Sequence, residues 1–151
     1  SGTVKSSQSA TDKVTVQLIQ QGYAEASYET IVSGGTKEGN QYTASYSISG
    51  IASGTYTMRV MKKNHVTREY TVTVSGNAKT QNAQIHLLGD VNGDGRVNAM
   101  DYTRLLKHVN ETQLLTDAYA LKCANVNRDA RVNAMDYTRL LKHVNETQPL
   151  W

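Results

Sequence analysis

The sequence predicts two modules: an all-β sandwich of six or seven strands, then an all-α unit of two loop-and-helix repeats with a short connecting helix. Three observations carry this. Up to about residue 89 apolar and polar residues alternate, the period of half-buried antiparallel strands. Beyond that point the apolar spacing becomes helical. Arg96–Gln113, RVNAMDYTRLLKHVNETQ, then recurs residue for residue as Arg131–Gln148, which marks a tandem duplication.

The alternation runs through Val14, Val16 and Leu18, then Tyr42, Ala44, Tyr46 and Ile48. It continues through Tyr56, Met58 and Val60, Tyr70, Val72 and Val74, and finally Ala83, Ile85 and Leu87. A further strand is expected at Tyr28–Val32. Ser33-Gly34-Gly35, Lys37-Glu38-Gly39-Asn40, Ser53-Gly54 and Ser75-Gly76-Asn77 break the runs. Regular short strands of this kind predict a small sandwich over residues 12–88. Residues 1–11, rich in Ser, Thr, Gly and Gln, read as a linker. The helical unit is assigned to 89–151, with repeats at 90–111 and 125–146. Thr116-Asp117 reads as a helix start, with Ala118, Leu121 and Cys123-Ala124 on the connecting helix.

Composition narrows the function classes. Of 151 residues 38% are hydrophobic and 19% charged, which suits a folded polar protein. No apolar run approaches the roughly 20 residues of a membrane span. One cysteine, Cys123, excludes a disulfide framework and a multi-cysteine zinc site. The net charge of +3 falls within residues 1–89, while 90–151 are balanced. Neither half has the basic stripe that nucleic-acid binding demands. The chain opens at Ser1 with neither a Met nor a leader, so a piece of a longer protein is expected.

The repeat carries metal chemistry. Asp90, Asn92, Asp94, Arg96, Asn98 and Asp101 stand at positions 1, 3, 5, 7, 9 and 12 of a loop with Gly95 at position 6. That is the spacing of an EF-hand loop. Ca²⁺ is a hard cation that takes oxygen ligands: here side chains, the Arg96 carbonyl, and Asn98 directly or through water. Position 12 is Asp rather than Glu, and strand rather than a helix is expected before the loop, over Ile85–Leu88. Val97 is expected to pack inward and pair with Val132. The second loop offers Asn125, Asn127, Asp129, the Arg131 carbonyl, Asn133 and Asp136. It has one carboxylate fewer, and Ala130 replaces the glycine. If position 6 needs positive φ, that change costs on the order of 1 kcal/mol. Two Ca²⁺ sites are therefore expected, the second weaker.

GDVNGDGRVNAMDYTRLLKHV (Gly89–Val109), repeated after a short linker, resembles a type I dockerin. The resemblance implies a module that needs calcium to fold and binds a cohesin on a scaffoldin. It also implies a secreted, extracellular parent anchored in a cellulosome. Ser53–Gly76, SGTYTMRVMKKNHVTREYTVTVSG, resembles the carboxypeptidase-regulatory or transthyretin-like sandwiches that precede dockerins as X-module-like domains. That likeness implies fold more than function.

A helical wheel gives a separate route to the partner surface. Tyr102, Leu105, Leu106 and Val109 fall within about 100° of arc and form a core stripe. Ala99, Met100, Thr103, Arg104, Lys107 and Glu111 gather opposite. A Met facing water suits an adaptable binding surface, although a stray exposed Met is ordinary. The same face recurs at Ala134, Met135, Thr138, Arg139, Lys142 and Glu146. Mapping the dockerin contact positions onto this sequence implies Ala99, Met100, Leu106, Lys107 and Glu111, and Ala134, Met135, Leu141, Lys142 and Glu146. With Thr103 and Thr138 these make two near-identical faces, and so two expected binding orientations.

No residue pattern reads as catalytic. There is no GxSxG elbow, no P-loop, and no acidic pair in a glycosidase setting. A calcium buffer or sensor is the rival reading, and carbohydrate binding by the β-domain is another. Six of the nine tyrosines lie there, at positions that read mainly as core. Cys123 reads as a small packed hydrophobe. His108 and His143 are expected at helix ends, solvated or favourable to the helix dipole, and Trp151 to fold back near Leu88–Gly89.

Overall fold

The computed structural model describes residues 1–151, which divide into two compact units, Ser1–Ile85 and His86–Trp151. The first has eight strands: β1 (Gly2–Ser7), β2 (Val14–Gln20), β3 (Tyr28–Val32), β4 (Thr36–Glu38), β5 (Gln41–Tyr46), β6 (Gly54–Lys62), β7 (Arg68–Val74) and β8 (Ala83–Gln84). They form two four-stranded sheets, ordered β4-β5-β1-β8 and β3-β2-β6-β7. β1 runs antiparallel to β5 and parallel to β8.

The alternating residues meet as expected. Val14, Val16 and Leu18 of β2, and Tyr56, Met58 and Val60 of β6, bury one face of their sheet. Val4, Ala44, Tyr46 and Ala83 of the other sheet share that core. Among the six tyrosines, Tyr46 and Tyr56 are buried and Tyr28, Tyr42 and Tyr70 half-buried, leaving only Tyr23 exposed. The buried hydroxyls find partners: Tyr46 donates to the Gln81 carbonyl (2.6 Å) and Tyr56 to that of Ala52 (2.8 Å).

Lys62 continues the inward set of β6 and is 6% exposed. A buried ammonium requires acceptors. Its Nζ donates to Ser6 Oγ (3.0 Å) and to the carbonyls of Ser7 and Ser9 (2.9 Å each). It also lies 5.5 Å from the centre of the Tyr42 ring. Burial pulls its pKa down, and the charge of Asp12 pushes back.

Residues 1–11 are thus not a linker. β1 lies inside its sheet, and Val4 is fully buried. Its single core residue gave too weak an alternation to see, because pairing on both sides, not propensity, makes it a strand. The strand count is eight rather than six or seven. The last strand is short: β8 stops at Gln84, and Ile85–Leu88 is not strand apart from an isolated bridge at Leu87.

The second unit holds α1 (Ala99–Val109), α2 (Ala118–Ala124) and α3 (Ala134–Val144). α1 and α3 share the sequence AMDYTRLLKHV and pack on each other. Leu105 and Leu140, equivalent residues, are fully buried, as are Cys123 and Ala124. Asn98 and Asn133 cap their helices, each in a capping box with Asp101 or Asp136. At the far ends the Thr112 N–H donates to Lys107 O and the Glu111 N–H to His108 O, and the same pair recurs at Thr147 and Glu146. These are Schellman turns, with Glu at the left-handed position where Gly is usual.

Candidate metal loops and docking face

Each loop is folded around its own acidic and amide side chains. In the first, Asp90 Oδ1 accepts the Gly93 N–H (2.7 Å) and Oδ2 that of Gly95 (3.0 Å). Asp101 Oδ1 accepts from the amides of Val91 (2.8 Å) and Asn92 (3.1 Å), and Oδ2 from Asn98 (3.0 Å). Asp94 Oδ1 accepts the Arg96 N–H (2.9 Å), and Asn92 Oδ1 the Asp94 N–H (2.9 Å). Asn98 Oδ1 accepts the Met100 N–H (2.7 Å), so its side chain already serves as helix cap. Asp90 and Asp101 are fully buried. Burial, then the charge of Asp101, pushes the Asp90 carboxyl up to about 6, against the amides of Gly95 and Gly93. Burial also raises Asp101, against the amides of Asn98, Asn92 and Val91.

The second loop repeats part of this. Asp136 accepts from Asn127 (3.1 Å) and Asn133 (3.0 Å), Asp129 from Arg131 (2.8 Å), and Asn127 Oδ1 from Asp129 (3.0 Å). Position 1 differs. Asn125 Nδ2 donates to the Asp129 carbonyl (2.6 Å), while Asn125 Oδ1 is buried with no hydrogen-bond partner. The backbone differs too. Position 4 is at positive φ in both loops (Gly93, φ 76; Arg128, φ 59), but position 6 only in the first (Gly95, φ 90), not at Ala130. The strain expected at Ala130 is therefore absent there.

The donor set fits a divalent cation of the hard, oxygen-seeking kind. Two buried carboxylates stand at the ends of the first loop, the charge of Asp101 raising the pKa of Asp90, and an orphaned amide oxygen stands at position 1 of the second loop. No group of three or more His, Cys, Asp or Glu side chains is placed to hold a metal by itself. Asn oxygens and carbonyls would have to complete either shell.

The residues before the two loops differ from each other. α2 ends at Ala124, directly ahead of Asn125, so the second loop lies between two helices. The first loop is preceded by extended chain that α2 holds. The Gly89 N–H donates to the Cys123 carbonyl (2.9 Å), and the His86 N–H to the Tyr119 hydroxyl (3.0 Å). Gly89 has φ 95, and a Cβ there would stand 3.0 Å from Leu140 Cδ1 and from Leu150 Cδ1. Leu150, not Trp151, thus reaches Gly89. Trp151 lies against His143, ring centres 4.8 Å apart. Val97 and Val132 are half-buried and belong to no strand.

His108 and His143 are not simply solvated. Their Nδ1 atoms accept the N–H groups of Leu115 (3.1 Å) and Leu150 (3.2 Å). Burial lowers the pKa of His143.

The predicted docking residues fall into three classes. Ala99, Met100, Thr103 and Lys107 are exposed on α1, and Ala134, Met135, Thr138 and Lys142 on α3. The methionines stand out at 64% and 67% exposed. Thr103 and Thr138 turn their hydroxyls back to the carbonyls of Ala99 (2.7 Å) and Ala134 (2.9 Å), presenting methyl groups. Leu106 and Leu141 are half-buried. Glu111 and Glu146 lie beyond the helices, both at φ 57, not on the helical face. An open groove of about 420 Å³ runs along Ala134, Met135, Thr138, Lys142 and Gln148. Tyr102 and Tyr137, equivalents in the two repeats, stack with centres 4.7 Å apart, and their hydroxyls meet. A residue that contacts its own counterpart is the mark of a local two-fold relation.

No curated protein matches the chain. Two solved structures of a type II cohesin–X–dockerin complex from Acetivibrio cellulolyticus resemble it over 95% of its length and 95% of theirs. The N-terminal interface mutant has 20% identity and a TM-score of 0.36; the C-terminal interface mutant has 21% and 0.33. Likeness at that level identifies no shared function. Residues 88–145 match the family model of the dockerin type I domain.

Proposed function

We propose that the C-terminal unit is a calcium-dependent docking module that binds a cohesin and so anchors its parent protein in an extracellular cellulosome. The duplicated face of exposed methionine, alanine and lysine carries this reading. Each copy presents an apolar, adaptable centre beside a cation. The stacking of Tyr102 on Tyr137 supports two faces related by a half-turn, and hence docking in either of two orientations. The unit contributes no catalysis; its work is binding.

Calcium fits the reading because both loops begin and end on buried oxygen donors. The first loop is the stronger site, with Asp90, Asp94 and Asp101 against Asp129 and Asp136 in the second. Arg128, where the first loop has Gly93, brings further positive charge to the second loop. Binding would neutralise the buried carboxylates and return their desolvation as folding energy. The β-unit serves as an X-module-like companion.

Titration calorimetry against a panel of cohesins, with millimolar calcium or with chelator, tests the reading. Binding to at least one cohesin in calcium, and none in chelator, is expected. Replacing Met100 and Lys107 together leaves affinity within a few-fold, and replacing Met135 and Lys142 as well abolishes it. Full loss from the first pair alone would refute two orientations. Equal binding with and without calcium would refute the metal dependence.

A further inference from the structure

Four residues before the first loop, the His86 ring lies directly over the loop's fourth position. A Cβ placed on Gly93 would stand 2.5 Å from His86 Cε1 and 2.7 Å from Nε2, so only glycine fits. Gly93 has φ 76, and its N–H is the donor that holds Asp90 Oδ1. His86 is itself held from α2. Its N–H donates to the Tyr119 hydroxyl (3.0 Å), and the two rings meet edge to face at 5.1 Å. The second loop has no such cover, because its fourth position carries Arg128, whose side chain is exposed.

We infer that Tyr119 and His86 are positioning residues for the first loop. Tyr119 fixes His86, the His86 ring fixes the Gly93 peptide, and that peptide aims the Asp90 carboxylate. The inference rests on the calcium reading of that loop. It makes the first site depend on a residue 29 positions downstream of Asp90, on the helix that also leads into the second loop. Partners behind a ligand orient it as much as the ligand's own chemistry does.

Tyr119→Phe in the full chain tests this, since it removes one hydroxyl and keeps the ring. In the calcium-loaded protein, amide exchange at Gly93 and Gly95 should quicken roughly fivefold, the equivalent of one lost hydrogen bond. Exchange at Asn127 and Arg131 should stay within twofold. Chelator titration should strip the first loop earlier than in the parent protein and leave the second unchanged. His86→Ala removes the ring but not the backbone donor, and should give the same selective effect. Acceleration in both loops alike, or in neither, would overturn the inference. Failure of the calcium reading itself would look different: chelator would leave exchange in both loops of the parent protein unchanged.

Discussion

Glu111 and Glu146 sit where a Schellman turn favours glycine, and replacing both with glycine should stabilise the helical unit while weakening docking. Each residue has φ 57 and an exposed side chain. A non-glycine residue pays about 1–2 kcal/mol in that region. Glycine gives part of it back, roughly 0.5–1 kcal/mol, through the greater freedom of the unfolded chain. The net gain is about 0.5–1 kcal/mol per site, and the two sites share no hydrogen-bond partner, so the gains add. For a unit of this size that raises Tm by roughly 3–6 °C per site. Calorimetric melting of the calcium-loaded chain measures it. Docking to a cohesin that binds the parent protein should weaken in the double variant, since each repeat loses the exposed carboxylate that follows its helix, and should survive in either single variant. A fall in Tm would show that the carboxylates stabilise the turns, and would refute the strain argument.

Two further predictions concern the interior. Lys62→Met keeps the stem of the side chain but leaves the buried carbonyl of Ser7 and the hydroxyl of Ser6 without their donor. The β-unit should lose about 2–4 kcal/mol in urea unfolding, and a loss under 1 kcal/mol would show that the ammonium's own desolvation cancels its bonds. Acidification should act through His143. Its pKa is lowered in the folded chain, so the unfolded chain takes up the proton first. The His143 contribution is complete above about pH 6.5 and declines as pH falls below that value towards the folded pKa. Unfolding midpoints between pH 7.5 and 5.5 should fall more steeply for the parent protein than for His143→Gln; parallel curves would refute it.

Much of this was legible in the sequence, for reasons that vary by element. β2, β5, β6 and β7 alternate because one face is buried and the other wet, so the pattern carries the strand. β1 and β4 carry no such pattern. β1 has only Val4 to bury hydrophobically, its other inward positions holding Ser6 and Ser7. Thr36–Glu38 is exposed throughout. The repeat helices were readable from their apolar stripe, on which the two copies agree, but their ends were not. The loops were readable from spacing, and so was the missing carboxylate of the second, but not their backbone difference: Ala130 stays out of the positive-φ region that Gly95 occupies. The His86–Gly93–Tyr119 contact joins residues far apart in sequence, and no local signal marks it. Glu111 looked helical because a wheel extends a helix past its cap.

Whether calcium folds the helical unit is read by a proton–nitrogen spectrum of the full chain, in chelator and then in millimolar calcium. Resonances from residues 86–151 should collapse to the centre in chelator and disperse with calcium. Those of residues 1–85 should stay dispersed in both. Well-dispersed resonances for residues 86–151 in chelator would contradict folding by calcium, and would turn the reading towards a calcium sensor that is folded before the metal arrives.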